Sequence, residues 1–164
     1  MTIQHQFPEF DIATLPPIPS TWIDLSWRND VCPSWAIDKL RVWVDFADPK
    51  ERDFEHGYRF RITDEEVSEI IFESNDWAEV LNFVFLSNLN LPEIPEDEDE
   101  EGLTKVYDEF LATTSLPAMS ADELSFEVNV PKITNWLGRF IKAWEQMEED
   151  EENWMKYASQ KAGI

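Results

Sequence analysis

Residues 39–46, KLRVWVDF, decide the fold. Leu40, Val42, Val44 and Phe46 fall on one face and Arg41, Trp43 and Asp45 on the other, the two-residue period of a strand with one buried side. The pattern recurs over 58–63, where Tyr58, Phe60 and Ile62 oppose Arg59 and Arg61. These two stretches are expected to pair across the loop that holds Pro49 and Gly57. Outward from them, 22–27 alternates Ile23, Leu25 and Trp27 against Asp24 and Ser26, and 67–72 follows the polar turn 63–66, so both read as further strands. Residues 31–36 contain Pro33 and read as a loop. Residues 1–20 contain Pro8, Pro16, Pro17 and Pro19, and read as an extended arm lying on the domain.

Beyond residue 75 the period changes. Asp76 followed by Glu79 resembles a capping box, and Trp77, Val80, Leu81, Val84 and Phe85 follow at helical spacing until Pro92 and Pro95. Leu103, Val106, Tyr107, Phe110 and Leu111 mark a second helix. Leu124, Phe126, Val128 and Val130 alternate with Ser125, Glu127 and Asn129, which predicts a strand over 124–130 against a helix-start signal at Ser120 and Glu123. Pro131 opens a last helix whose seam runs through Ile133, Leu137, Phe140, Trp144, Met147, Glu151, Trp154 and Ala158. At 1.5 Å per residue this helix is about 40 Å long, so its end is expected to project. The expected fold is a single α+β domain over 21–164: an antiparallel sheet of about four to five strands, helices on one face, and a long C-terminal helix.

The chain has 164 residues, 35 acids and 13 bases, a formal charge of -22. With 43 % hydrophobic and 13 % aromatic residues it has the material for a core and is not a disordered acidic chain. The charge opposes direct binding of nucleic acid or anionic membrane and favours a basic protein partner. No apolar run approaches the roughly 20 residues of a membrane span. The glycines, Gly57, Gly102, Gly138 and Gly163, are too scattered for a GxGxxG turn or a P-loop. Cys32 is the single cysteine, which excludes an intrachain disulfide and a thiolate zinc cluster. The start MTIQHQFPEF lacks the features of a secretory signal, so a cytoplasmic location is expected. His56 has no serine or cysteine nucleophile motif beside it, and no cofactor is expected.

The charge is not spread evenly. Residues 93–101 hold seven acids and no base, and 145–152 hold six and no base. The second run lies on the last helix at about one charge per 2 Å, comparable with about one per 1.7 Å on duplex DNA. This density motivates the expectation of a non-enzymatic protein that blocks a basic, nucleic-acid-binding protein by mimicking its ligand, in the manner of anti-restriction or anti-CRISPR inhibitors. The analogy is one of charge and size. The expected partner-binding residues are Glu96, Asp97, Glu98, Asp99, Glu100 and Glu101 in the first run, Glu148, Glu149, Asp150, Glu151 and Glu152 in the second, and Trp43, which shares a strand face with Arg41 and Asp45. An alternative is an immunity protein or antitoxin that neutralises a cationic toxin such as a nuclease, with acids steering association and Trp43 as anchor.

A third alternative is calcium. Asp97, Asp99, Glu101, Gly102 and Asp108 fall at positions 1, 3, 5, 6 and 12 of an EF-hand loop, although the last position is Asp and prolines break the entering helix. Two further expectations concern the surface. Arg41, Arg52, Arg59 and Arg61 are expected to pair with Asp45 and neighbouring acids across the sheet, and the seam of the last helix is either core packing or the contact of a homodimer.

Overall fold

The computed structural model describes residues 3–54, 57–96 and 99–162, including the side chains of all these but Trp154 and 157–162. The fold is α+β, and two compact units divide the chain, Met1–Phe85 and Leu86–Ile164.

In the first unit the sheet is a five-stranded antiparallel meander in the order β1-β2-β3-β4-β5. Its strands are β1 (Ile23–Asp24), β2 (Ser34–Ile37), β3 (Leu40–Val44), β4 (Phe60–Asp64) and β5 (Glu69–Ser74). The expected pairing of the two clearest strands holds, with Val42 opposite Ile62 and Val44 opposite Phe60. Strand β2 falls where a loop was expected. Pro33 stands immediately before it, a position where the missing N–H removes no ladder bond, and the Pro33 carbonyl accepts from the Val44 N–H at 2.9 Å. The chain turns from β2 into β3 through Asp38, whose φ of 51° is one that Asp tolerates better than most residues.

Leu40, Val42, Val44, Phe60 and Ile62 are buried together on the apolar face. Helix α2 (Trp77–Asn88) covers it, with Trp77 against Phe60 at 5.1 Å between ring centroids and Phe83 stacked on Phe72 at 4.6 Å. Asp76 caps the helix by accepting from the Ala78 N–H at 2.8 Å. Glu79 does not close the expected box; it accepts from the Ser74 hydroxyl instead. The arm carries a short helix, α1 (Ile3–Gln6), and a 3₁₀ turn (Ile12–Thr14). Phe10 is buried and meets Phe46 at 5.3 Å, which holds the arm by about the 0.5–1.5 kcal/mol of an aromatic pair beyond the area it buries.

The second unit contains α3 (Glu100–Thr114), α4 (Ala121–Glu127) and α5 (Pro131–Ala162). Helix α4 replaces the strand expected over 124–130. Ser120 and Glu123 form a complete capping box, which satisfies two otherwise orphaned donors, and the resulting helix buries Leu124 while leaving Phe126 90 % exposed. The alternation had placed both on one face. The expected seam of α5 is core as far as Phe140; beside it Trp136 stacks on Phe110 at 4.0 Å and on Phe140 at 5.4 Å, and its indole donates to the Pro92 carbonyl at 2.7 Å. Ile133, Leu137 and Phe140 are buried, whereas every described side chain from Glu148 onward is exposed. The seam positions Trp154 and Ala158 lie outside the described side chains. Among the described residues, no helix is long and apolar enough to cross a membrane.

Candidate functional site: an acidic cleft with an apolar floor

The linker after α2 runs back along α5. Ile94, Pro95 and Glu96 from this linker, Asp99 and Leu103 from the start of α3, and one stripe of α5 enclose a cleft of about 750 Å³. The α5 stripe is Arg139, Lys142, Ala143, Gln146, Met147, Asp150 and Glu151, residues that recur every three or four positions and so share a side of the helix. Ile94, Pro95, Leu103, Ala143 and Met147 give the cleft an apolar floor. Its carboxylates are Glu96 and Asp99 from the first acidic run and Asp150 and Glu151 from the second, so residues some 50 positions apart in sequence meet at one site.

The cleft is also polarised along its length. Arg139 and Lys142 stand eight to twelve residues before Asp150 and Glu151 on α5, about 12–18 Å at the helical rise. Neither base has an ion pair among the described residues.

The remaining expected partner-binding residues distribute elsewhere. Glu100 and Glu101 lie in the first turn of α3, where their charge suits the helix dipole, and Glu101 pairs with Lys105 at 2.7 Å on the surface. Glu148 accepts from the Trp144 indole at 3.1 Å, Glu152 pairs with Lys156 at 3.3 Å, and Glu149 is exposed off the lining. Asp97 and Glu98 lie outside the described residues. Trp43 sits on the sheet of the other unit and is half-buried. The Arg41 guanidinium lies 3.9 Å above its ring, and its N–H donates to Thr63 Oγ1 at 3.1 Å. The residues that sequence reasoning missed are the floor and the two bases, Arg139 and Lys142. Their signal was the i, i+4, i+8 recurrence of Arg139, Ala143 and Met147 along one side of α5, which the acids around it outweighed.

The EF-hand spacing is not realised as a loop. Asp99 is the N-cap of α3, its carboxylate accepting from the Gly102 N–H at 2.9 Å. Glu101 and Asp108 then lie on a regular helix, about 10 Å apart along its axis, too far to share one calcium shell with ligands at about 2.5 Å. Asp97 lies outside the described residues, and these contain no group of three metal-ligating side chains.

The sheet arginines pair in part as expected: Arg61 meets Glu73 directly across β4 and β5, whereas Asp45 takes no arginine among the described residues. Arg41 bonds Asp30 at 2.9 Å and Arg61 bonds Glu73 at 2.8 Å. Asp45, fully buried, accepts from the backbone N–H groups of Phe46, Asp53 and Phe54 at 2.8–3.1 Å and so shapes the loop after β3. Burial raises its carboxyl pKa even against these three donors. Arg52 braces the same loop through the carbonyls of Phe46, Ala47 and Gly57. Cys32 is buried and its thiol is held well above the usual range, first by burial and then by Asp45, the opposite of an activated nucleophile. His56 lies outside the described residues. Compared with protein-family models, with curated proteins and with solved structures, the chain matches none.

Proposed function

We propose that the protein is a non-enzymatic binding protein that captures a basic segment of a nucleic-acid-binding protein in the cleft between the linker and α5, and thereby blocks it. One observation carries this reading: Glu96 and Asp99 from one acidic run and Asp150 and Glu151 from the other converge over an apolar floor. Carboxylates alone steer a partner; the floor adds the desolvated contact that holds it. The exposed acids of α5 beyond the cleft extend the same negative surface at a spacing close to that of DNA phosphates. The immunity-protein alternative leaned on Trp43 as an exposed anchor, and its half-buried place under Arg41 leaves that version with less support.

The test is retention of purified basic nucleases and DNA-binding proteins on the immobilised chain at low salt, followed by elution with salt or with duplex DNA. Retention that DNA reverses supports the proposal. A partner that stays bound while DNA occupies its groove, or no retention at all, overturns it.

A further inference from the structure

The first unit carries a second cleft, of about 570 Å³, where the arm passes the N-terminus of α2. Its walls are Pro16, Tyr58, Phe60 and Trp77, and its charged groups are Arg59, Asp76 and Glu79. Two buried donors here have no partner among the described residues: the Nε of Arg59 and the indole N–H of Trp77. Such groups cost about 1–3 kcal/mol each until something accepts from them. Arg59 donates from Nη2 to the Thr14 carbonyl, its guanidinium lies 5.2 Å from the centre of the Phe60 ring, and it has no carboxylate partner among the described residues, in a chain where acids outnumber bases by 35 to 13. The two acids that line the same cleft, Asp76 and Glu79, are each engaged through one oxygen. Asp76 Oδ1 caps α2, and Glu79 Oε2 accepts from Ser74.

An anion alone would meet Arg59 but also two carboxylates, and a cation alone would meet the acids but also the guanidinium. A ligand that carries both charges on adjacent atoms satisfies all three groups, and the aromatic walls accommodate an apolar side chain. The volume lies within the range of small-molecule sites. We propose that this cleft binds an α-amino acid zwitterion with an apolar or aromatic side chain, its carboxylate on Arg59 and its ammonium between Asp76 and Glu79. Burial and the neighbouring Arg52 lower the Arg59 pKa, consistent with a guanidinium that lacks a counter-ion.

Calorimetric titration of the full chain with L-phenylalanine, 3-phenylpropionate, phenethylamine and inorganic phosphate separates the possibilities. L-phenylalanine is expected to bind, with each single-charge analogue at least tenfold weaker. Arg59→Gln is expected to weaken it at least tenfold and Asp76→Asn, which keeps an N-cap, by a smaller factor. Arg59→Met serves if the glutamine variant loses its far-ultraviolet circular dichroism. Absence of binding by L-phenylalanine, equal binding of phenylpropionate or phosphate, or affinity unchanged in the Arg59 variants each overturns the proposal.

Discussion

Two triple variants with the same change in net charge separate a site from a bulk property. In the first, Glu96→Gln, Asp150→Asn and Glu151→Gln remove three of the carboxylates that line the acidic cleft. In the second, Glu145→Gln, Glu149→Gln and Glu152→Gln remove three exposed acids of the same helix that do not line it. Asp99 is left alone because it caps α3. Each ion pair at a solvated rim contributes about 0.2–1 kcal/mol, so the first variant loses about 0.6–3 kcal/mol, or about 3- to 150-fold in affinity. The second set projects from other sides of a helix about 10–12 Å across, near one Debye length at 0.1 M salt, and is expected to lose at most about threefold. The assay is fluorescence anisotropy of a labelled amphipathic helical peptide, with Lys and Arg on one side and Leu on the other, at about 0.1 M salt. Circular dichroism of both variants checks that the fold is retained. Equal losses would overturn the assignment of the cleft, because they would mean that the peptide responds to total charge and that the convergence of the two runs is irrelevant.

Two other predictions concern the second unit. Gly138 lies inside α5 with nothing within 4 Å of where a Cβ would stand, so Gly138→Ala is expected to raise stability by about 0.5–1 kcal/mol, read as a higher urea midpoint with an unchanged slope. The Tyr107 hydroxyl donates to the Met119 carbonyl at 2.7 Å, and its pKa is pushed up to about 12 by burial and then by Glu123 and Asp122. Since the folded state favours the protonated phenol, this stabilisation is complete below pH 10.0 and is lost as pH rises through about 12. Phenolate absorbance is expected to show a late-titrating tyrosine that disappears in Tyr107→Phe.

The strand order around residues 39–46 and 58–63 was legible because one face of the sheet is sealed by α2 and the other bears charge, so hydropathy alternated with the pleat. The long helix was legible for the same reason, through Ile133, Leu137 and Phe140. At 124–130 the alternation misled. Only Leu124 and Val130 are buried there, whereas Phe126 is exposed, and the Ser120–Glu123 box satisfies the donors that open a helix. Strand β2 was hidden by Pro33, since a proline just ahead of a strand reads the same as one inside a loop. Acidity located the candidate site only to two runs. Which four acids converge depends on the path of the linker past α5 and on helical phase, and phase separates Asp150 and Glu151 from Glu149 and Glu152 although all four are neighbours in sequence.

Cys32 gives the protein a clock. It is the only thiol in the chain, it is completely buried, and its proton is held tightly. An alkylating reagent can therefore modify the folded protein only at the moments when the first unit opens around that residue. The labelling rate, followed by mass, counts those openings without any engineered probe. Its independence of reagent concentration, at high reagent, would give the opening rate itself. Stability changes placed in the second unit then slow or quicken this clock to the extent that the two halves of the chain open together.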